Sequence, residues 1–180
     1  VRKLASLTFC IGAPFFGIMP WSGRPAPAST SRPACPTGGD ANGDGGAACP
    51  RPNAMRPATL CRTWLFVPGG DDAALAAAAA SGADVLIQEL EDFTPPDRRA
   101  HARAMSPGVF RTWRAAGAVA AVRINPLDGD GIADLAAVMR GAPDVVALPK
   151  VSGPGDVVRL DRAVTRCERE LGLPVGSTRL

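Results

Sequence analysis

The sequence predicts an α/β fold that is part of a (β/α)8 TIM barrel, about its first four strand–helix units, preceded by a disordered tail. Short apolar runs recur four times after Leu60, each run is followed by a turn and a helical stretch, and polar residues lie just past each run. This alternation is typical of a parallel sheet covered by helices, and barrel sites are built at those strand ends. A doubly wound sheet is the alternative, but Pro68-Gly69-Gly70-Asp71 lacks the GxGxxG spacing typical of it.

Four apolar runs are predicted as strands because each is short and is ended by a turn signal or by polar residues. The runs are, in order, Thr63–Val67, Val85–Leu90, Val119–Ile124 and Val145–Leu148. The segments that end them are, in the same order, Pro68-Gly69-Gly70, Glu91-Asp92, Asn125-Pro126 and Pro149-Lys150. A fifth strand is expected to begin near Thr178, after a turn at Gly172–Gly176.

Helical stretches follow the strands. They are predicted over Ala73–Ala80, from near Asp97, over Val109–Ala116, over Ile132–Arg140 and over Gly155–Leu171. Asp71 and Asp72 suit the unpaired N–H groups of the first helix, and Gly82 provides its stop. Helical spacing predicts a buried face on each of the last two helices, with Ile132, Leu135, Val138 and Met139 on one and Val157, Leu160, Val164 and Leu171 on the other.

Residues 1–58 are predicted to be a disordered tail, which leaves residues 59–180 as the folded domain. Between Pro20 and Ala58, eight Pro and six Gly occupy more than a third of the positions. Pro plus Gly above roughly 25–30% is typical of disorder. The stretch has one aromatic residue, Trp21, so it buries too little apolar surface to offset the entropy of ordering.

Two interpretations of the chain start stay open. Val1–Pro20 resembles a weak signal peptide, because Arg2 and Lys3 precede an apolar run. We favour a natural start at Met55, because the folded pattern begins just after it. No apolar run reaches the roughly 18 residues that a membrane span needs, so no span is expected.

The charge balance and the cysteine spacing argue against nucleic-acid binding and against a metal-finger protein. Residues 59–180 carry fourteen Lys and Arg against fifteen Asp and Glu, so no nucleic-acid partner is expected. The five cysteines form no CxxC pair and no metal-finger spacing. We therefore expect them to have no structural role, and a reducing cytoplasm is the predicted compartment.

Polar groups at the four strand ends converge on one face in a parallel barrel. They are Gly69-Gly70, Glu91-Asp92, Arg123 with Asn125, and Lys150. An arginine binds a carboxylate through a bidentate fork, and carboxylates bind Mg²⁺ directly or through its waters. The set therefore predicts a site for a small anionic substrate held with a divalent cation.

Each of these residues also has a purely structural interpretation. Arg123 then pairs with Glu91 or Asp92 inside the barrel, and Lys150 is a solvated loop lysine. His101, the only histidine, lies in a predicted helix and is expected at the surface.

Five short motifs carry a resemblance to a known family. Arg62–Gly69 (RTWLFVPG) resembles the opening strand of the HpcH/HpaI aldolase and citrate lyase beta-subunit family. The motifs that follow in that family's order and spacing are Gly82-Ala83-Asp84, Leu90-Glu91-Asp92, Val122–Leu127 and Leu148–Val151. The resemblance extends from Arg62 to Leu180.

The resemblance implies a TIM-barrel enzyme that makes or breaks a carbon–carbon bond next to a carbonyl, with Mg²⁺ as cofactor. The family's substrates are citryl-CoA, malyl-CoA or a hydroxy-oxo acid. By this resemblance, Arg123 grips the carboxylate and carbonyl side of the substrate. Glu91 and Asp92 match acidic residues that hold the waters of the metal or assist proton transfer.

The resemblance also bears on the remaining site residues and on assembly. Asn125, Lys150 and Gly69 are expected to contact the substrate. The family's direct metal ligands, a Glu ending the fifth strand and an Asp ending the sixth, are expected beyond Leu180. No direct ligand is therefore expected in this chain, which is expected to be a truncated piece without activity of its own. Full-length members are expected to be homo-oligomers.

Two differences between this sequence and the family's usual motifs bear on which branch of the family it resembles. Pyruvate-type aldolases place a histidine base after the second strand, whereas this sequence has Asp92 there. That difference favours the CoA-ester branch. A pyruvate-class aldolase and a non-catalytic fragment remain the alternatives. Gln88-Glu89 replaces the usual apolar residue and Asp, so a polar side chain is expected in a buried strand.

Overall fold

The structure, a computed structural model, describes residues 57–180. The signal-peptide interpretation, the start at Met55 and nearly all of the predicted tail lie outside the described residues. A single parallel sheet has the strand order β1-β2-β3-β4. The strands are β1 Trp64–Pro68, β2 Val85–Glu89, β3 Val119–Arg123 and β4 Val145–Ala147. The predicted α/β barrel units are therefore confirmed, with strand boundaries shifted by about one residue.

Four α-helices follow the strands in turn, and three short 3-10 turns flank them. The helices are α1 Asp72–Ala78, α2 Arg99–Ala115, α3 Gly131–Val138 and α4 Pro154–Glu170. The 3-10 turns are Ala58–Leu60, Pro96–Arg98 and Met139–Gly141. Asp71 caps α1 as predicted, because its carboxylate accepts a hydrogen bond from the Ala74 N–H at 2.9 Å.

The two helical stretches predicted in the second unit form one continuous helix, α2, with Pro107 inside it. A proline in a helix interior removes a backbone donor and costs about 3 kcal/mol. Burial of Phe110 and Trp113, which are both inaccessible to solvent, offsets that cost. The Trp113 indole N–H also donates to the Leu75 carbonyl at 2.9 Å, which ties α2 to α1.

Side chains alternate between the two faces of the sheet. One face packs on the helices through Val67, Leu86, Val122 and Val146, and the core there includes Phe110, Trp113 and Leu135. The other face carries a second buried cluster of Val85, Ile87, Val119, Ala121 and Val145, packed against Cys61, Trp64 and Phe66. Glu89 and Arg123 continue this second face, because each lies two residues beyond one of its members.

The predicted helix faces are partly wrong. Ile132 is 47% exposed and Leu171 is 42% exposed. On α3 the buried residues are Gly131, Asp134, Leu135 and Val138, at the spacing i, i+3, i+4 and i+7. That spacing leaves Ile132 at the flank of the helix. Leu171 follows the last residue of α4, where the helix no longer faces the core.

The fifth strand expected near Thr178 is observed as a single parallel bridge to β4. Arg179 forms a parallel bridge with Val145, the Arg179 N–H donates to the Asp144 carbonyl at 3.0 Å, and the Val146 N–H donates to the Arg179 carbonyl at 2.9 Å. None of the helices within residues 57–180 is both long and apolar enough to cross a membrane.

Candidate functional site

The carboxyl ends of β2, β3 and β4 bring five charged side chains together. They are Glu89, Glu91, Asp92, Arg123 and Lys150. The register pairs Glu89 directly with Arg123 on neighbouring strands. Three carboxylates therefore face two cations at one end of the sheet, so the cluster carries one more negative charge than positive charges.

Arg123 lies at the centre of this cluster. Its Nε donates to Glu89 Oε1 at 2.8 Å, and its Nη2 donates to Asp92 Oδ2 at 3.2 Å. The side chain is 21% exposed, and its Nη1 has no hydrogen-bond partner among residues 57–180. The guanidinium carbon is 5.2 Å from the ring centroid of Phe66 and 6.0 Å from that of Phe93. Arg123 is thus held in place on one edge with donors left for an anion.

Glu89 is a buried residue that holds the other site residues in position. It was not among the site residues predicted from the sequence. Its carboxylate has no solvent exposure. It accepts hydrogen bonds from the backbone N–H groups of Glu91, Asp92 and Phe93 at 2.7, 3.2 and 2.5 Å. One side chain therefore fixes both the acidic loop after β2 and the guanidinium of Arg123. Its two-residue spacing from Ile87, on a strand face that is otherwise apolar, was the available signal.

Glu91 is buried between the two cations. Its Oε1 lies 2.5 Å from Lys150 Nζ and its Oε2 lies 3.6 Å from Arg123 Nε, so the carboxylate forms an ion pair with each cation. Both oxygens are inaccessible to solvent. Glu91 therefore pairs with both cations of the cluster from a position that solvent does not reach.

Lys150 closes the cluster from the β4 side. Its side chain is 66% exposed, and Nζ is 3.5 Å from Asp92 Oδ1. The hydrogen bond and the negative charge of Glu91 raise the pKa of Lys150 above 10.5. Its φ of 50° lies in the left-handed region, which is uncommon for residues with a side chain and recurs at functional sites. The solvated-loop alternative is thus too simple, because Lys150 contacts two carboxylates.

Asn125 is part of the scaffold beneath the site. It is 3% exposed, and its Nδ2 donates to the Leu90 carbonyl and to Asp134 Oδ2, both at 2.8 Å. Asp134 is itself inaccessible and accepts a hydrogen bond from Arg103 Nε at 2.7 Å. These contacts tie the loop after β3 to the end of β2. The substrate contact expected of Asn125 stays a prediction.

Gly69 lies where two backbones cross. A Cβ at this position would be 2.4 Å from the Glu89 carbonyl oxygen, which is too close for any side chain. The Gly69 N–H donates to that carbonyl at 2.9 Å and to Thr94 Oγ1 at 3.0 Å. The role of Gly69 in substrate binding stays a prediction, whereas its role in this close approach is geometric.

Gln88 is the polar side chain expected in a buried strand, and it is inaccessible to solvent. Its Nε2 donates to the carbonyls of Gly69 and Ala102 at 3.1 and 2.9 Å. Its Oε1 has no hydrogen-bond partner within residues 57–180. The amide therefore links the loop after β1 to α2 from within the core.

A small pocket of about 100 Å³ adjoins Lys150 between the loops after β3 and β4. Its polar lining includes Asp128, Ser152 and Arg159. Arg159 Nη2 is 2.5 Å from Asp128 Oδ1, and that hydrogen bond lowers the pKa of Asp128.

The residues present can be compared with what a divalent cation needs. No group of three or more His, Cys, Asp or Glu suited to a metal ion occurs within the described range 57–180. The carboxylates of Glu91 and Asp92 have the oxygen chemistry that Mg²⁺ prefers, and the side chain of Asp92, which is 51% exposed, is accessible to metal-bound water. His101 takes no part, because it pairs with Asp72 at the exposed surface at 2.7 Å, as predicted.

Comparison with known proteins gives one family match. The family model described as HpcH/HpaI aldolase/citrate lyase matches residues 62–180. Citrate lyase subunit beta of Haemophilus influenzae is 34% identical over 122 residues, which cover 67% of this chain and 42% of that protein. The same subunit of Escherichia coli K12 is 36% identical over 120 residues, covering 66% of this chain and 40% of that one.

Two further comparisons concern a thioesterase and a solved structure. A (3S)-malyl-CoA thioesterase of Cereibacter sphaeroides is 35% identical over 97 residues, 53% of this chain and 34% of its own. The Haloferax volcanii malate synthase lead(II) complex superposes with a TM-score of 0.58 at 20% identity, covering 64% of this chain and 39% of that chain. The latter is a likeness of fold. The chain spans about two fifths of the length of the two citrate lyase beta subunits named above, 42% and 40%.

Proposed function

The chain belongs to the HpcH/HpaI aldolase/citrate lyase family, and from this we propose that residues 57–180 supply the substrate-gripping part of a Mg²⁺-dependent carbon–carbon lyase that acts on a CoA thioester. The observation that carries the proposal is Arg123, whose guanidinium is fixed by Glu89 and Asp92 while Nη1 stays available. A fixed guanidinium beside a cluster with an unmet negative charge suits an anionic substrate together with a cation.

Arg123 is proposed to hold the carboxylate or carbonyl oxygen of the substrate. Glu89 takes one edge of the guanidinium, so the outer edge remains for the substrate. Holding the guanidinium in advance reduces the entropy lost when the substrate binds. Glu89 is the positioning residue in this proposal, because it acts on the substrate only through Arg123 and through the loop it caps.

Glu91 and Asp92 are proposed to hold metal-bound water or to take part in proton transfer. When bound, Mg²⁺ supplies Lewis-acid stabilisation of the enolate oxygen that forms next to the broken carbon–carbon bond. Lys150, like any lysine near its ordinary pKa, keeps its proton at neutral pH and offsets the charge of Glu91, which raises the pKa of Lys150 further. By the family resemblance, the direct metal ligands are proposed to lie outside residues 57–180.

The CoA-thioester branch is favoured over the pyruvate-class aldolases by two features. Asp92 occupies the place of the histidine base of those aldolases, and its carboxylate is 3.2 Å from Arg123 Nη2. The sole histidine lies elsewhere, paired with Asp72. Relatives named citrate lyase subunit beta and (3S)-malyl-CoA thioesterase support the same branch.

Asn125 and Gly69 are proposed to shape the floor beneath the substrate. The cytoplasmic location stays a prediction.

Binding of (S)-malate to the 180-residue chain tests the role of Arg123. We expect a saturable shift of the Arg123 Nε–Hε NMR resonance in the wild type and in Arg111→Gln, a matched loss of an exposed charge on α2. Arg123→Gln is expected to weaken binding about tenfold, which is the loss of one charge-assisted hydrogen bond. Because this variant lacks the Arg123 resonance, the three affinities are compared through the backbone amide resonance of Phe93, which all three proteins retain. Equal affinity in Arg123→Gln and the wild type would remove the proposal's main support.

A further inference from the structure

Phe93 is an aromatic residue exposed at a charged site. It is 54% exposed, and its ring centroid is 6.0 Å from the guanidinium carbon of Arg123. Most single exposed apolar residues have no function. Phe93 differs because it lies against the one guanidinium that the proposed function assigns to the substrate.

The backbone that carries Phe93 is fixed from both sides. Its own N–H donates to Glu89 Oε2 at 2.5 Å. The next residue, Thr94, is 1% exposed, and its hydroxyl accepts from the Gly69 N–H at 3.0 Å and donates to the Glu89 carbonyl at 2.5 Å. A ring on a backbone held in this way loses little further freedom when a ligand packs against it.

Phe66 provides the second aromatic contact of Arg123, at 5.2 Å, from within β1. That ring belongs to the buried face of the sheet, whereas Phe93 is the exposed one of the two. An anion that reaches Arg123 therefore passes close to the Phe93 ring. Alkyl groups of the ligand would bury apolar surface against this ring, and exclusion of water strengthens the charge-assisted contact to the guanidinium.

We propose that Phe93 is a specificity-determining residue whose ring covers the carboxylate held by Arg123 and favours acids that carry alkyl carbons next to that carboxylate. The inference rests on the proposed function, in which Arg123 grips a carboxylate. To that function the inference adds a substrate preference: acyl groups that carry alkyl carbons are favoured over unsubstituted ones.

The test compares acetate with pentanoate as probes of the 180-residue chain. Dissociation constants come from the Arg123 Nε–Hε resonance, which is assigned by its loss in Arg123→Lys. We expect the wild type to bind pentanoate at least fourfold more tightly than acetate, the fold-change of one buried methylene at ~0.8 kcal/mol. Phe93→Ala is expected to bring the ratio of the two constants to within twofold of one. Phe93→Leu, which keeps apolar area without a ring, is expected to retain an intermediate ratio.

Controls separate the possible outcomes. Val175→Ala removes an equally exposed apolar side chain (58%) on the loop after α4 and is expected to leave the ratio unchanged. A wild-type ratio near one, or a wild-type ratio retained in Phe93→Ala, overturns the inference while leaving Arg123 as the carboxylate-binding group. Absence of any saturable shift at Arg123 in the wild type instead refutes the proposed function itself. If Phe93→Ala does not fold, the ratio in Phe93→Leu decides, and a wild-type value there refutes the role of the ring.

Discussion

Glu89 and Arg123 are register partners on neighbouring parallel strands, and Arg123 Nε donates to Glu89 Oε1 at 2.8 Å. The same carboxylate caps the loop that carries Glu91 and Asp92. The substrate-gripping guanidinium and the acidic pair are thus positioned by one buried group. Stability and site geometry are expected to change together when that group is altered.

Removal of the Glu89 charge is the first test of this coupling. Glu89→Gln weakens three backbone hydrogen bonds and leaves Arg123 without its closest ionic partner, so we expect a loss of about 2–3 kcal/mol in the free energy of unfolding. Urea denaturation measures it. Glu170→Gln, at a 66% exposed ion pair with Arg166, is the matched control and is expected to change stability by under about 0.5 kcal/mol. Equal effects of the two substitutions would contradict the assignment of Glu89 as anchor.

Asp134 is expected to be as sensitive as Glu89. Its inaccessible carboxylate pairs with Arg103 and accepts the backbone and side-chain N–H groups of Asn125. Asp134→Asn removes the shorter and more buried of the two ion pairs of Arg103 and weakens the bonds to Asn125, and we expect a loss of about 3 kcal/mol. Asp130→Asn, at a 45% exposed partner of the same arginine, is expected to cost under about 1 kcal/mol. Thermal or urea unfolding of the two variants distinguishes a buried from a surface pair.

Two glycines are expected to respond oppositely to alanine. At Gly69 the added Cβ meets the Glu89 carbonyl oxygen at 2.4 Å, so Gly69→Ala is expected to destabilise the protein by about 1–3 kcal/mol. At Gly108, inside α2, no atom beyond the neighbouring residues and backbone of its own helix lies within 4 Å of the added Cβ, and Gly108→Ala is expected to stabilise the protein by about 0.5–1 kcal/mol. Denaturant midpoints measure both signs. A stable Gly69→Ala variant would show that the crossing after β1 tolerates a side chain.

The pH dependence of Asp130 follows from its contact with Arg99. Arg99 Nη1 donates to Asp130 Oδ2 at 2.9 Å, which lowers the pKa of Asp130 below 3.8. A lowered pKa stabilises the fold above the unfolded-state value, and this contribution is lost as pH falls through the folded-state pKa, hence below about pH 4. In a carbon-detected NMR titration, Arg99→Gln should move the Asp130 midpoint upward. An unchanged midpoint would rule out Arg99 as the cause.

The elements with local signals were the ones that the sequence predicted well. All four strands lie within about one residue of their predicted ends, because Pro, Gly and Asn turns mark them. The interruption predicted between two helical stretches was wrong, because tertiary burial of Phe110 and Trp113 carries α2 through Pro107.

Contacts between distant strands were harder to predict. The sequence identified Arg123, Glu91, Asp92 and Lys150 as strand-end residues, and the structure brings these four together. The anchoring role of Glu89 depends on the register of β2 against β3, which no local pattern specifies. The exposed position of Phe93 likewise depends on how Glu89 caps its loop.

The proposal that this protein is a CoA-thioester lyase in which Arg123 grips the substrate is tested most directly by an assay of carbon–carbon cleavage. The assay uses the polypeptide as its gene encodes it. Citryl-CoA, (S)-malyl-CoA and a free 4-hydroxy-2-oxo acid are each supplied with Mg²⁺, and products are separated by chromatography with and without EDTA. We expect EDTA-sensitive cleavage of a CoA thioester, with little cleavage of the free acid, and a loss of about tenfold or more in kcat/KM for Arg123→Lys. Cleavage of the free acid alone, or thioester cleavage that Arg123→Lys leaves unchanged, would contradict it.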